Sequence, residues 1–156
     1  MTTPVFTVVI EGNPGALAIN NAKKAVVIKG NARLVDTGPA KKAKAAAREA
    51  VFRAAMDQPE LANAVQESAH LVVEIDSYWA EQRHLPRSSG LAKGDVDGPL
   101  KLTIDALEGA KLIDDDARIV QVNARKFIDR DRPRIELRVM PAPPQTEDED
   151  GQQRLV

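Results

Sequence analysis

Gly94-Asp95-Val96-Asp97-Gly98-Pro99-Leu100-Lys101, continuing through Ile104-Asp105-Ala106-Leu107 to Asp114-Asp115-Asp116-Ala117-Arg118-Ile119-Val120, is where the architecture becomes readable. Pro99 sits where a first helical turn tolerates proline, and Leu100, Ile104 and Leu107 follow at i, i+4 and i+7. That spacing predicts a helix from about Pro99 to Ala110 with those three residues buried. Three aspartates then mark a chain reversal, and Ile119 to Phe127 reads as a strand. A helix thus lies between strands.

Working outward, Phe6 to Glu11 is β-branched and aromatic and ends at the turn-forming Gly12-Asn13-Pro14-Gly15. Ala25 to Lys29 and Ala32 to Val35 predict a hairpin turning at Gly30-Asn31. An alanine-rich helix runs from Pro39 to Met56, with Ala43, Ala47, Ala50 and Ala54 on one face and Lys41, Lys44 and Arg48 on another. After Pro59 a polar segment leads to a strand at Leu71 to Ile75. Tyr78 to Gly94 reads as an irregular basic loop, and Arg134 to Met140 as a last strand. The order β-β-β-α-β-α-β-β predicts an α+β domain, a mixed β-sheet with two main helices, over residues 1–140. Residues 141–156, proline-bearing and acidic, are expected to be a disordered tail.

With 156 residues and 43% hydrophobic content, the chain can build one core. It has no cysteine, so disulfides and thiolate metal sites are excluded, and a bound metal would be a hard cation held by oxygen, Mg²⁺ or Mn²⁺. Neither a secretory signal nor a bilayer-spanning run is visible, which makes a soluble, cytoplasmic protein the expectation. The net charge of −1 hides segregation: Lys23 to Arg53 holds nine bases against Asp36 and Glu49, a balance of +7. Such a stretch suits a phosphate backbone.

Asp95 and Asp97 are two apart, so in an extended segment both carboxylates face one side. Lys101 stands a helical turn beyond Asp97, with Asp105 one turn further on. Acids from both ends of the helix could then gather around one cation. Aspartate is common in caps and turns, so Asp-x-Asp alone decides nothing. Cleavage of a phosphodiester, however, needs this set: cations held by two or three carboxylates, which offset phosphoryl charge and make water a better nucleophile, and a lysine that stabilises the transition state without competing for the metal.

At these residues the chain resembles the RusA family of Holliday-junction resolvases, small metal-dependent endonucleases of phages and prophages. The acid-x-acid, the lysine four residues on and the acid pair at the helix exit keep the family spacing. The resemblance implies that Asp95, Asp97 and Asp116 are catalytic metal ligands, that Asp115 fills the neighbouring acidic position, and that Lys101 is the essential cation. Asp116 is preferred as the third acid because Ala117 then keeps its family position. The resemblance further implies a homodimer acting on four-way DNA junctions and a phage or prophage origin. Gly98 stands where the family usually has asparagine, and the segment from Tyr78 to Lys93 is longer than the family's basic loop.

The expected function is therefore a Mg²⁺-dependent endodeoxyribonuclease that resolves branched DNA by paired symmetric nicks. Lys41, Lys44, Arg48, Arg83, Arg87 and Lys93 are the expected DNA contacts. The alternatives are a non-catalytic DNA-binding protein of the same fold, or a nuclease with broader taste for flaps and branched DNA.

Overall fold

The computed structural model describes residues 2–17, 23–80, 97–147 and 153–155, with the backbone alone at 15, 16, 23, 97, 145–147 and 153–155. Strand β1 (Phe6–Glu11) buries Phe6, Val8 and Ile10 and exposes the residues between them, the period of two expected of a strand with one face on the core. A one-turn helix, α1 (Pro14–Leu17), follows, and then the hairpin of β2 (Lys23–Ile28) and β3 (Asn31–Asp36). Its turn is Lys29-Gly30, one residue earlier than the sequence suggested. Both residues have positive φ, 51° and 78°, as the twist of a two-residue hairpin requires.

Helix α2 (Gly38–Asp57) starts where Thr37 Oγ1 accepts a hydrogen bond from the Ala40 N–H at 3.3 Å. It buries Ala40, Ala43, Ala47 and Val51. The polar segment after Pro59 is in fact a helix, α3 (Pro59–Glu67). Proline is favourable at its first position, and Ala62 and Val65, three apart, supply a small apolar face. Composition had hidden it because so few of its residues pack.

Strand β4 (Leu71–Trp79) extends past the predicted Ile75, taking in the first two residues assigned to the basic loop. The Tyr78 ring stacks on Phe127 with centroids 5.0 Å apart, and the buried Trp79 indole N–H donates to Ser77 Oγ at 3.0 Å. Helix α4 (Asp97–Gly109), β5 (Ile119–Ile128), β6 (Arg134–Pro141) and the short antiparallel pair β7 (Gln145–Glu147) and β8 (Gln153–Leu155) complete the chain.

The main sheet has the order β1-β6-β4-β5. The final long strand, β6, is inserted between β1 and β4, antiparallel to both, while β4 and β5 run parallel. The predicted α+β class with a mixed sheet is what the structure shows. One sheet face and helices α2, α3 and α4 enclose a core of Phe6, Val8, Ile10, Ala47, Val51, Leu71, Val73, Ile75, Leu107, Ile135 and Leu137 among others. Helix α4 is rotated from its predicted setting: Leu102, Thr103, Ala106 and Leu107 are buried, whereas Leu100 and Ile104 are only partly so. The buried Thr103 hydroxyl is satisfied by donating to main-chain carbonyls one turn back, at Pro99 and Leu100. Among the described residues, no helix is long and apolar enough to cross a membrane.

Candidate active site at the α4 exit

With that face of α4 buried, Lys101, Asp105 and Glu108 line the opposite side at i, i+4 and i+7; Lys101 and Asp105 are exposed and Glu108 half-buried. By register Asp97 heads the same row, about 12 Å of helix rise before Asp105. The Asp97 side chain, and all of Asp95, Arg83, Arg87 and Lys93, lie outside the described residues. Lys101 therefore stands one turn from Asp97 and one from Asp105, an ammonium between two acidic positions.

The far end of the helix closes in a way that turns the chain back on itself. Lys111 adopts the left-handed conformation (φ 62°), the Leu112 N–H donates to the Leu107 carbonyl at 3.0 Å, and the Lys111 N–H to that of Glu108 at 3.0 Å. This is the paired hydrogen-bond pattern of a Schellman cap, formed with lysine in the place glycine usually takes. Leu112 and Ile113 are buried, anchoring the reversal, and the exposed Asp114, Asp115 and Asp116 follow at once.

Two contacts fix this acid turn. Asp115 caps a 3-10 turn (Asp116–Arg118), accepting from the Ala117 N–H at 2.8 Å. Arg118, largely buried, donates to the carbonyls of Val65 (2.7 Å), Gln66 (2.9 Å) and Ser68, clamping the turn to the C-terminal end of α3, and also pairs with Asp114 at 3.0 Å. The Asp114 carboxyl is held below its ordinary range chiefly by that hydrogen bond from Arg118. Asp114 is thereby committed to Arg118, and Asp115 to its cap, which leaves Asp116 as the exposed acid of the three with no side-chain partner among the described residues.

The electrostatic consequence appears at Glu108. Its carboxyl is pushed above the ordinary range by burial first, then by the negative charges of Asp116, Asp105 and Asp115. The structure thus brings Asp115 and Asp116 to the same stretch of α4 as Asp105 and Glu108. Among the described residues no three acids or histidines are close enough to hold a metal ion by themselves. Their chemistry nonetheless fits a hard divalent cation: oxygen donors in surplus, whose negative charges together act on the Glu108 carboxyl. Sequence reasoning had placed Asp105 on the Lys101 face but passed over Glu108 and Arg118. The signal for Glu108 was its place three residues beyond Asp105; Arg118 gave none, because its partners are main-chain carbonyls about 50 residues away.

A family model for RusA endodeoxyribonuclease matches residues 16–140, the span that holds every element of this site. The chain belongs to the RusA endodeoxyribonuclease family. It is accordingly an endonuclease, a hydrolase of DNA, in a family that acts on Holliday junctions and generally depends on divalent metal. No curated protein matches the chain.

The expected DNA contacts of α2 are unequal. Lys41 is exposed, Lys44 pairs with Asp36 at 2.7 Å, and Arg48 lies against the end of α4, where a Cβ added at Gly109 would come within 3.1 Å of its Cδ. The basic helix and the acid-bearing helix are therefore neighbours.

The sheet face away from the helices carries a second charged group that the sequence did not suggest. Asp76, buried on β4, receives both ends of Arg125 (2.8 and 2.9 Å) and Arg138 at 2.9 Å, while Arg138 also holds Glu74 at 2.8 Å. Burial alone would raise the Asp76 carboxyl, but the two guanidinium groups outweigh it and hold it below the ordinary carboxylate range. Beside it Arg134 lies 3.8 Å over the Tyr78 ring. Each of these guanidinium groups is engaged by carboxylates, which makes the face a structural brace.

Proposed function

We propose that the chain is a Mg²⁺-dependent resolvase of four-way DNA junctions, with Mn²⁺ as a working substitute, and that it acts as a homodimer making paired symmetric nicks. Asp95, Asp97 and Asp116 would hold the metal, with Asp115 alongside. Such a cation supplies charge neutralisation at the scissile phosphate and a more acidic water. Lys101 stabilises the negative charge that builds on the phosphoryl oxygens. Arg118 acts through position alone, keeping the acid turn against α3. Lys41, Lys44 and Arg48 on α2, with Arg83, Arg87 and Lys93, hold the sugar-phosphate backbone. Two copies related by a two-fold axis match a substrate that has two equivalent strands to cut. The catalytic domain ends near residue 140, where β6 and the family match both stop.

The observation that carries this reading is that the exit-turn acids Asp115 and Asp116 act on Glu108, which shares one row of α4 with Lys101 and Asp105, within the family-matched span. The test is a nicking assay on a synthetic four-way junction with Mg²⁺ or Mn²⁺. Wild type is expected to cut, while Asp97→Asn and Asp116→Asn bind the junction but cut roughly 10²–10³-fold more slowly. A wild-type protein that binds and never cuts would establish the non-catalytic alternative. Equal cleavage of flaps, duplex and junctions at one fixed salt concentration would establish the broader nuclease.

A further inference from the structure

The outer edge of the main sheet is unusual in what it lacks. Strand β1 pairs with β6 on one side, and its other side faces the flank of α2 across a groove of about 510 Å³. The Thr7 N–H donates to Gln58 Oε1 at 3.2 Å, and Gln58 Nε2 donates to the Thr7 carbonyl at 2.7 Å. One side-chain amide thus makes, at Thr7, both hydrogen bonds that a neighbouring strand would make. Main-chain groups alternate in direction along an antiparallel strand, so those of Val9 and Glu11 point to the same open side. Among the described residues nothing hydrogen-bonds to them there. Natural sheets guard such edges with lysine, proline or a bulge, and β1 has none of these.

The groove walls complete the case. Its floor is the apolar flank of α2, Ala46, Ala50 and Ala54, facing Val9, which is 41% exposed. Of the charged residues that line it, Glu49 pairs with Arg53 and Glu11 with Arg132, so Asp57 is the acid left without an ion pair among the described residues. We propose that this groove takes an extended basic-apolar segment of a partner protein, which adds as a strand to β1 beyond Gln58. Main-chain bonds to Val9 and Glu11 give affinity, small apolar side chains enter against the alanines, and a lysine meets Asp57. This surface is separate from the acid turn and does not depend on the nuclease reading.

The probe is the synthetic peptide acetyl-Lys-Val-Lys-Val-Lys-amide, titrated into the full chain and followed by amide hydrogen exchange and fluorescence anisotropy. Exchange at Val9 and Glu11 should slow at least about tenfold on saturation, and a Glu-Val-Glu-Val-Glu counterpart should not bind. Val9→Pro deletes the outward N–H without touching the β6 ladder and should weaken binding about tenfold. Asp57→Lys, at an exposed position, should weaken it several-fold and serves if the proline variant does not fold. Equal binding of both peptides, binding that leaves Val9 and Glu11 unprotected, or protection that rises with protein concentration alone through pairing of two β1 edges would each overturn the proposal.

Discussion

At Asp76 a single carboxylate serves two strands. It sits on β4 between Arg138 of β6 and Arg125 of β5, so it ties together the three strands on which the sheet depends. Losing one partner of such a group strands the others' charges, although Arg125 is exposed enough to turn into solvent. Asp76→Asn is therefore expected to cost roughly 1–3 kcal/mol in urea unfolding at neutral pH. The pH dependence has a definite sign. Because the folded-state pKa is depressed, the contribution is complete above the unfolded value of about 3.9 and disappears as pH falls through and below it. Wild-type stability should drop more steeply than that of Asp76→Asn as pH falls below about 4, the region between the unfolded and the depressed folded value. Parallel curves would show that the arginines do not control this titration. Nothing in the sequence announced the network, since Glu74, Asp76, Arg125 and Arg138 meet only through strand register.

The exit of α4 shows the same division at the scale of an element. The helix, the reversal and the strand beyond it were legible, because apolar spacing and a run of aspartates are local signals. Their orientation was not: which face of α4 is buried depends on how α2 packs, and the sequence favoured Leu100 and Ile104 over the Leu102 and Ala106 that the fold buries. For the candidate site the sequence offered residue types and spacing. What held the acid turn was not legible, since Arg118 reaches carbonyls at the end of a helix, α3, that composition concealed. Arg118→Ala should lower stability by roughly 1–3 kcal/mol and speed amide exchange at Ala117. If the turn's position matters to catalysis, junction cleavage falls while junction binding holds, and Arg118→Lys restores only part of the rate. Unchanged exchange at Ala117 would show that the clamp is dispensable.

Across the whole molecule, a formal charge of −1 conceals the +7 stretch from Lys23 to Arg53, which acids spread over the rest of the chain offset. Binding to a junction should nevertheless weaken steeply with salt, through phosphate contacts. Lys41→Ala should reduce the slope of log affinity against log salt by about one, and Lys44→Ala by less, because Asp36 already engages that ammonium. Equal slopes for wild type and both variants would remove α2 from the DNA-binding surface. The order of strands has another outcome. Because β6 fills the gap between β1 and β4, the first strand made has no neighbour until almost the last has been synthesised. On the ribosome β4 and β5 can pair early but β1 cannot, so the four-stranded sheet of this DNA-cutting protein closes only after translation has passed residue 141.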